Sequence, residues 1–160
     1  MMRVNKLREA MGKCGADAAL ITSVENVTYY SGFSGNSSQL LITPGETYFF
    51  TDFRYTEQAE AETDFTVVET KATVRVKTIF EYVAKQGVKK LGVDLSDVSY
   101  TVFKAYLQHT AEENMVDLSA VVALQRTIKD AEEIALIAKG AKHNDMLFDH
   151  MCKILKPGMS

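Results

Sequence analysis

Few residues of this chain have a spacing that metal binding or catalysis requires. His143 and His150 stand seven positions apart on a predicted helix and share a face, but no third ligand lies at a suitable offset. The sequence has no glycine-rich phosphate loop, no nucleophile elbow and no His-Glu-x-x-His pair. We therefore interpret both histidines as residues of a solvated helix face.

Three aspartates suggest a different chemistry, because each stands at an end of a predicted strand. Carboxylates that converge there can bind the two Mg²⁺ ions of a nuclease, and the candidates are Asp17, Asp52 and Asp94. However, Asp17 enters its strand and Asp94 leaves one, so parallel strands would place them at opposite edges of the sheet. The formal net charge of −3 also disfavours nucleic acid as a partner, so a nuclease is the weaker hypothesis.

Two polar segments are better candidates for ligand binding. Residues 31–38, rich in glycine and serine, are typical of a loop that presents backbone donors and an exposed ring, that of Phe33, although a plain connector has the same composition. Residues 51–55 place an acid, a guanidinium and a phenol where a strand meets a helix. Either Asp52 caps that helix and leaves Arg54 free to bind a carboxylate, or the two form a local ion pair.

Length and composition indicate an ordinary globular domain. The chain has 160 residues, of which 46% are apolar, and a chain of this size buries roughly 70% of its unfolded surface. No apolar run approaches the about 20 residues of a membrane span, and a signal-peptide core is absent, which favours a cytoplasmic protein without a membrane partner. Cys14 and Cys152 lack metal-site spacing, and we expect both to be small buried residues.

Hydrophobic periodicity predicts an α/β fold with a mixed sheet. Strand-forming runs at 40–43 and 47–51 flank the turn signal Pro44-Gly45-Glu46, which predicts an antiparallel hairpin. Later strands alternate with amphipathic helices, which favours parallel neighbours. The six predicted strands are 18–21, 40–43, 47–51, 65–68, 91–94 and 115–118.

A long helix is predicted near the end of the chain, after a linker at 125–129. It begins at Asp130, which forms a capping box with Glu133, and it continues to Lys156 before Pro157-Gly158. Ser160 is suited to cap a further helix, so we expect the chain to be part of a longer protein. The apolar face of the long helix would then be exposed, and we expect it to cause self-association through Ile134, Phe148 and Leu155.

Several segments have a characteristic order and spacing, most clearly where the predicted loop, hairpin and strand-to-helix junction follow one another. These segments are 25–35, 40–43, 51–59, 93–94, 126–134 and 156–160. Together they closely resemble the N-terminal domain of the aminopeptidase P, prolidase and creatinase family, and the resemblance extends over essentially the whole chain.

The resemblance implies a mixed six-stranded sheet with helices on both faces, of the ribonuclease H-like type, in residues 1–125. Residues 126–160 would be the linker and first helix of a catalytic pita-bread domain. In this family that domain binds two divalent metals, Mn²⁺ or Co²⁺, and hydrolyses the bond before proline. The metal ligands would lie beyond Ser160, so the resemblance implies no catalytic residue and no metal in this chain.

The resemblance also implies a homodimer that acts on proline-containing peptides, in which a loop of one subunit limits access to the partner's active site. The matching residues here are Phe33, Asn36 and Ser37 in the loop, with Arg54 and Tyr55. Asn36 and Ser37 are neither acidic nor histidine, so a charged clamp on the peptide amino terminus is not implied. A creatinase-type amidinohydrolase and a non-catalytic interaction domain, as in histone-binding chromatin proteins, are the alternatives.

Overall fold

The computed structural model describes residues 2–159, which form seven α-helices, one short 3₁₀ helix (Glu112–Asn114) and six strands. The helices are α1 (Met2–Lys13), α2 (Val24–Ser31), α3 (Thr56–Glu62), α4 (Arg75–Lys85), α5 (Tyr100–Tyr106), α6 (Ser119–Thr127) and α7 (Ala131–Ile154). The strands are β1 (Ala18–Ile21), β2 (Ser38–Ile42), β3 (Thr47–Thr51), β4 (Thr66–Glu69), β5 (Leu91–Val93) and β6 (Met115–Asp117). The chain divides into two compact units, residues 1–125 and residues 126–160.

The six strands form one mixed sheet in the order β4-β3-β2-β1-β5-β6. Strand β2 is antiparallel to both of its neighbours, whereas the pairs β3 with β4, β1 with β5 and β5 with β6 are parallel. The hairpin predicted around Pro44-Gly45-Glu46 is therefore confirmed. Because β2 alone runs in reverse, its first residue lies at the edge where the other five strands end.

Helices cover both faces of the sheet, as predicted. Alternate strand residues point to opposite faces, so Ala19 and Ile21 pack on one side while Ala18 and Leu20 pack on the other. The first side is covered by α1, α2, α3 and α6, through Leu7, Val27, Ala59 and Val122. The second side is covered by α4 and α5, through Ile79, Phe80, Val83 and Tyr106. Each fully buried large apolar side chain contributes about 1.5–3 kcal/mol.

Around the ends of α1 and α6, two features differ from the sequence-based expectation. The predicted linker at 125–129 is wrong in its first three residues, because α6 extends to Thr127. Leu118 and Val122 are both buried in the core, and this packing stabilises a short helix whose local signals are weak. Cys14 was expected to be buried but is exposed, since it follows the last turn of α1.

The second unit consists mainly of α7. Its capping box forms as predicted, since the Asp130 side chain accepts from the Glu133 amide and the Glu133 side chain accepts from the Asp130 amide, both at 2.9 Å. The helix ends at Ile154, two residues before the predicted end. No residue of α7 is buried, so the expectation of a buried Cys152 is also wrong. No helix of residues 2–159, α7 included, combines the length and the apolar character that a membrane span requires.

Candidate functional site

The topology brings the two predicted ligand-binding segments to one edge of the sheet. The loop before β2 and the segment after β3 meet there, since β2 begins where β3 ends. Asp94 follows β5 at the same edge, and Asp17 precedes β1 at the opposite edge. The predicted separation of Asp17 from Asp94 is therefore confirmed, which leaves no converging set of three aspartates.

Asp52 and Arg54 form the local ion pair that was one of the two predicted arrangements. Arg54 donates from Nε to Asp52 Oδ1 at 2.7 Å and from Nη2 to Oδ2 at 2.9 Å. Asp52 does not cap α3, whose N-cap residue Tyr55 makes no side-chain cap bond. The Arg54 guanidinium, and next the Ser37 hydroxyl that donates at 2.7 Å, hold the pKa of the buried Asp52 carboxyl well below its ordinary value.

A second arginine approaches the same carboxylate. Arg75, the first residue of α4, places Nη2 3.5 Å from Asp52 Oδ2 and 3.4 Å from the Ser37 hydroxyl oxygen. Its Nε is buried and has no hydrogen-bond partner among residues 2–159. Burial lowers the pKa of Arg75, and the charge of Asp52 opposes that effect. Sequence reasoning missed Arg75, because nothing in the spacing connects residue 75 with residues 37 and 52.

Phe33 lies inside the core, so the expectation of an exposed ring at this position is wrong. Its side chain is fully buried and meets the rings of Phe49 and Tyr55 edge-on, at centroid distances of 4.9 and 5.9 Å. An added Cβ on Gly35 would lie 2.5 Å from the Phe33 ring and 3.0 Å from Tyr55. The loop therefore requires glycine at 35, and Phe33 serves to anchor it.

The exposed aromatic ring of this site belongs to Phe53. Its side chain is 76% exposed, between Asp52 and Arg54 in the chain. The sequence contains a local indication of this exposure, because Phe53 follows the end of β3 and is flanked by two charged residues. The two aromatic residues thus have opposite roles, since Phe33 fixes the loop and Phe53 faces solvent.

Asn36 and Tyr55 extend the site along the surface. The Tyr55 hydroxyl donates to Asn36 Oδ1 at 2.9 Å, and the Arg54 guanidinium carbon lies 5.4 Å from the Tyr55 ring centroid. Asn36, Tyr55 and Arg54 are thereby connected, and Ser37 joins them through Asp52. The structure brings all five predicted access residues together, although only some of them are exposed.

Helix α3 holds the beginning of the loop. The Ser34 amide donates to Glu62 at 2.9 Å, and Gln58 donates to the Ser34 hydroxyl at 2.9 Å. The Ser34 amide is also the main reason why the pKa of Glu62 is lowered. At the other end, the Thr51 hydroxyl donates to the Ser37 carbonyl at 2.8 Å. The loop is therefore fixed at both ends by hydrogen bonds.

The described residues do not form a metal site. Within 2–159, no group of three His, Cys, Asp or Glu side chains is arranged to hold a metal ion. Asp94 and Asp97 approach each other, but the Asn26 amide donates to both at 2.9 Å and occupies the space between them.

Comparison with known proteins identifies the fold. The family model described as the creatinase/prolidase N-terminal domain matches residues 3–128. The chain belongs to this family. The resemblance drawn from the loop, hairpin and junction segments is confirmed, as is the predicted fold class.

Similar proteins match the chain over nearly its whole length. An uncharacterized peptidase, YqhT, of Bacillus subtilis strain 168 is 34% identical over 160 residues, which is 99% of this chain and 45% of that protein. The structure of an Xaa-Pro dipeptidase from Bacillus anthracis matches with a TM-score of 0.90 at 28% identity, covering 100% of this chain and 45% of that one. The chain therefore spans just under half the length of these relatives.

A second structure matches most of the chain. It is the N-terminal domain of the cytoplasmic peptidase PepQ from Mycobacterium tuberculosis H37Rv, with a TM-score of 0.70 and 29% identity. The match covers 78% of this chain and 98% of that domain. The chain is therefore the N-terminal domain of an Xaa-Pro dipeptidase or aminopeptidase P family protein.

Proposed function

We propose that the protein containing this chain is a cytoplasmic, dimeric peptidase that hydrolyses Xaa-Pro bonds, and that this domain governs which peptides reach its active site. The observation that carries the proposal is the match over the whole of this chain, at a TM-score of 0.90, to 45% of a protein described as an Xaa-Pro dipeptidase. The catalytic chemistry would use two divalent metals, Mn²⁺ or Co²⁺, bound by residues outside this chain. The role of this domain would be to recognise the peptide substrate.

The edge formed by the loop and the segment after β3 supports that role. It carries a fixed guanidinium, an amide and an exposed ring, those of Arg54, Asn36 and Phe53. Binding residues on loops that a rigid scaffold positions are a common arrangement in proteins. In the proposed dimer this edge would border the partner's active site and limit the peptides that enter it.

The proposal predicts a specific kinetic effect in the full-length protein. Arg54→Ala and Asn36→Ala should each raise KM for Gly-Pro or Leu-Pro about tenfold in the presence of Mn²⁺, which corresponds to about 1.4 kcal/mol of lost binding. The value of kcat and the metal content should stay unchanged. Lys104→Ala, which changes an exposed side chain on α5, is the control.

Two outcomes would contradict the proposed function. If the full-length protein hydrolyses creatine and leaves both dipeptides intact, it is an amidinohydrolase. If it hydrolyses neither and binds no divalent metal, it is a non-catalytic binding domain. Unchanged KM values in an active peptidase would reject the access role alone.

A further inference from the structure

We propose that Arg54 is a receptor for the terminal carboxylate of a peptide, that Asp52 positions it, and that Arg75 supplies the positive charge that the carboxylate balances. This inference rests on the proposed function, since it names the chemical group that is bound at the edge formed by the loop and the segment after β3. Its basis is the way in which two arginines share one buried aspartate.

The orientation of Arg54 leaves half of its guanidinium available. A guanidinium carries five N–H donors in a planar fork, and one carboxylate can engage one edge of it. Asp52 occupies the edge formed by Nε and Nη2. The outer edge, with both hydrogens of Nη1 and one of Nη2, has no acceptor among residues 2–159, and the side chain is 60% exposed. The fork is therefore fixed on its inner side and open on its outer side.

The charges within the cluster of Asp52, Arg54 and Arg75 do not balance. Two guanidinium groups, of Arg54 and Arg75, face one carboxylate, of Asp52, and the side chains of Arg75 and Asp52 are only 11% and 10% exposed. Glu69 lies close by and accepts from the Thr56 hydroxyl at 3.1 Å, but it forms no ion pair with either arginine. Water screens a buried charge poorly, so the excess positive charge acts on whatever approaches Arg54.

The neighbouring groups also favour an anion with an apolar part. The Tyr55 hydroxyl donates to Asn36 Oδ1, so the Asn36 oxygen is engaged, and the amide hydrogens have no acceptor among the described residues. Arg54 and Asn36 therefore both present donors. Phe53, next to Arg54, exposes an aromatic ring that suits the apolar side of a prolyl residue. A peptide that ends in a carboxylate combines these two chemistries.

A titration of this chain followed by NMR tests the inference. The probes are N-acetyl-L-proline, its uncharged amide, and inorganic phosphate. N-acetyl-L-proline should shift the Arg54 Nε–H and the Asn36 side-chain amide resonances and saturate in the millimolar range. The amide should produce no shift at these groups. Phosphate should bind at least threefold more weakly, because it has no apolar ring to contact Phe53.

Three variants separate the roles of the residues. Arg54→Lys keeps the charge but loses the fork, and it should weaken binding at least tenfold. Arg75→Met removes the excess charge and should weaken binding about threefold, while the Arg54 Nε–H resonance of the free protein keeps its position. Arg8→Lys is the matched control, since Arg8 binds Thr43 and Thr47 at the opposite edge and its exchange should leave binding unchanged.

The inference fails if N-acetyl-L-proline leaves both resonances in place, if its amide shifts them equally, or if phosphate binds as tightly. If Arg75→Met binds N-acetyl-L-proline with unchanged affinity, Arg75 has no role in carboxylate binding. None of these readouts depends on hydrolysis. A protein that binds N-acetyl-L-proline at Arg54 but cleaves no Xaa-Pro peptide would refute the proposed function and leave this inference intact.

Discussion

Asp52 joins three segments that are far apart in the chain. Its carboxylate accepts from Ser37 in the loop and from Arg54 after β3, and it faces Arg75 at the start of α4. A buried carboxylate with these partners stabilises the fold only while it is ionised. Its pKa is lowered chiefly by Arg54, so the ionised form persists into acid in the folded protein.

We predict a defined pH dependence of stability from Asp52. A carboxyl with a lowered folded pKa stabilises the fold above its unfolded pKa of about 3.9, and this contribution is lost as pH falls toward the folded pKa. Asp52→Asn should lower the free energy of unfolding by roughly 2–3 kcal/mol at pH 6, and by about 1 kcal/mol less at pH 3. Urea unfolding at the two pH values measures both quantities.

The control for this prediction is Asp64→Asn, which changes an exposed carboxyl between α3 and β4. It should leave the free energy of unfolding within about 0.5 kcal/mol at pH 6. A loss in Asp52→Asn that is the same at pH 3 and pH 6 would mean that the ionised carboxylate contributes nothing beyond its hydrogen bonds.

The separation of residues in the sequence explains which parts of the site could be predicted. Asp52, Arg54 and Tyr55 are local neighbours, and their types alone suggested an ion pair or a carboxylate site. Arg75 contacts them only through the tertiary fold, so no local pattern indicates it. Phe33 was misjudged because loop composition predicts exposure, whereas the core beneath the loop needed an aromatic ring to fill it.

At the level of elements, β5 shows how close packing restricts residue choice. This strand lies between β1 and β6, and Gly92 is its central residue. A Cβ on Gly92 would lie 2.3 Å from Leu118 Cδ1 and 3.1 Å from the Ala18 carbonyl oxygen. Leu118 is itself fully buried, so it has little room to move. Only glycine lets Leu118 pack directly against β5.

We predict opposite effects for two glycine-to-alanine changes. Gly92→Ala should lower the free energy of unfolding by about 1–3 kcal/mol, because Leu118 must leave its preferred position. Gly12→Ala should raise it by about 0.5–1 kcal/mol, because Gly12 lies in α1 and, beyond its chain neighbours and the backbone of that helix, no atom lies within 4 Å of an added Cβ. Thermal and urea unfolding of both variants give the comparison, and a neutral Gly92→Ala would show that the strand can shift.

Elements with strong local signals were predicted well. The hairpin follows from its Pro-Gly turn, and α7 begins at its capping box. Helix α6 was missed because its nine residues lack comparable signals, and burial of Leu118 and Val122 is what stabilises it. Tertiary packing, which the local sequence does not indicate, therefore determines the helical structure of that segment.

The whole molecule combines a well-packed domain with a helix that is exposed along its length. Large apolar side chains of α7 and of the residue that follows it, such as those of Ile134, Phe148 and Leu155, are between 56% and 69% exposed. Monomeric proteins seldom expose so many apolar groups on one element. The helix is therefore suited to bury this surface against another polypeptide surface.

We predict that the 160-residue chain associates with itself through α7. Burial of each large apolar side chain would contribute about 2 kcal/mol, so the chain should sediment as a dimer at micromolar concentration. The double variant Phe148→Lys with Leu155→Lys should sediment as a monomer. Tyr100→Lys, which changes an exposed aromatic residue on α5, should not affect the sedimentation. A wild-type chain that sediments as a monomer would contradict the prediction.

The exposure of the cysteines has a practical consequence. Cys14 and Cys152 are the two cysteines of the chain, and one lies in each compact unit. In the monomeric variant Phe148→Lys with Leu155→Lys, thiol-directed spin labels or dyes would reach both without a further substitution. Dipolar spectroscopy between the two labels would then follow the spacing of the units in solution as a proline peptide is added. The natural sequence thus supplies its own pair of reporter positions.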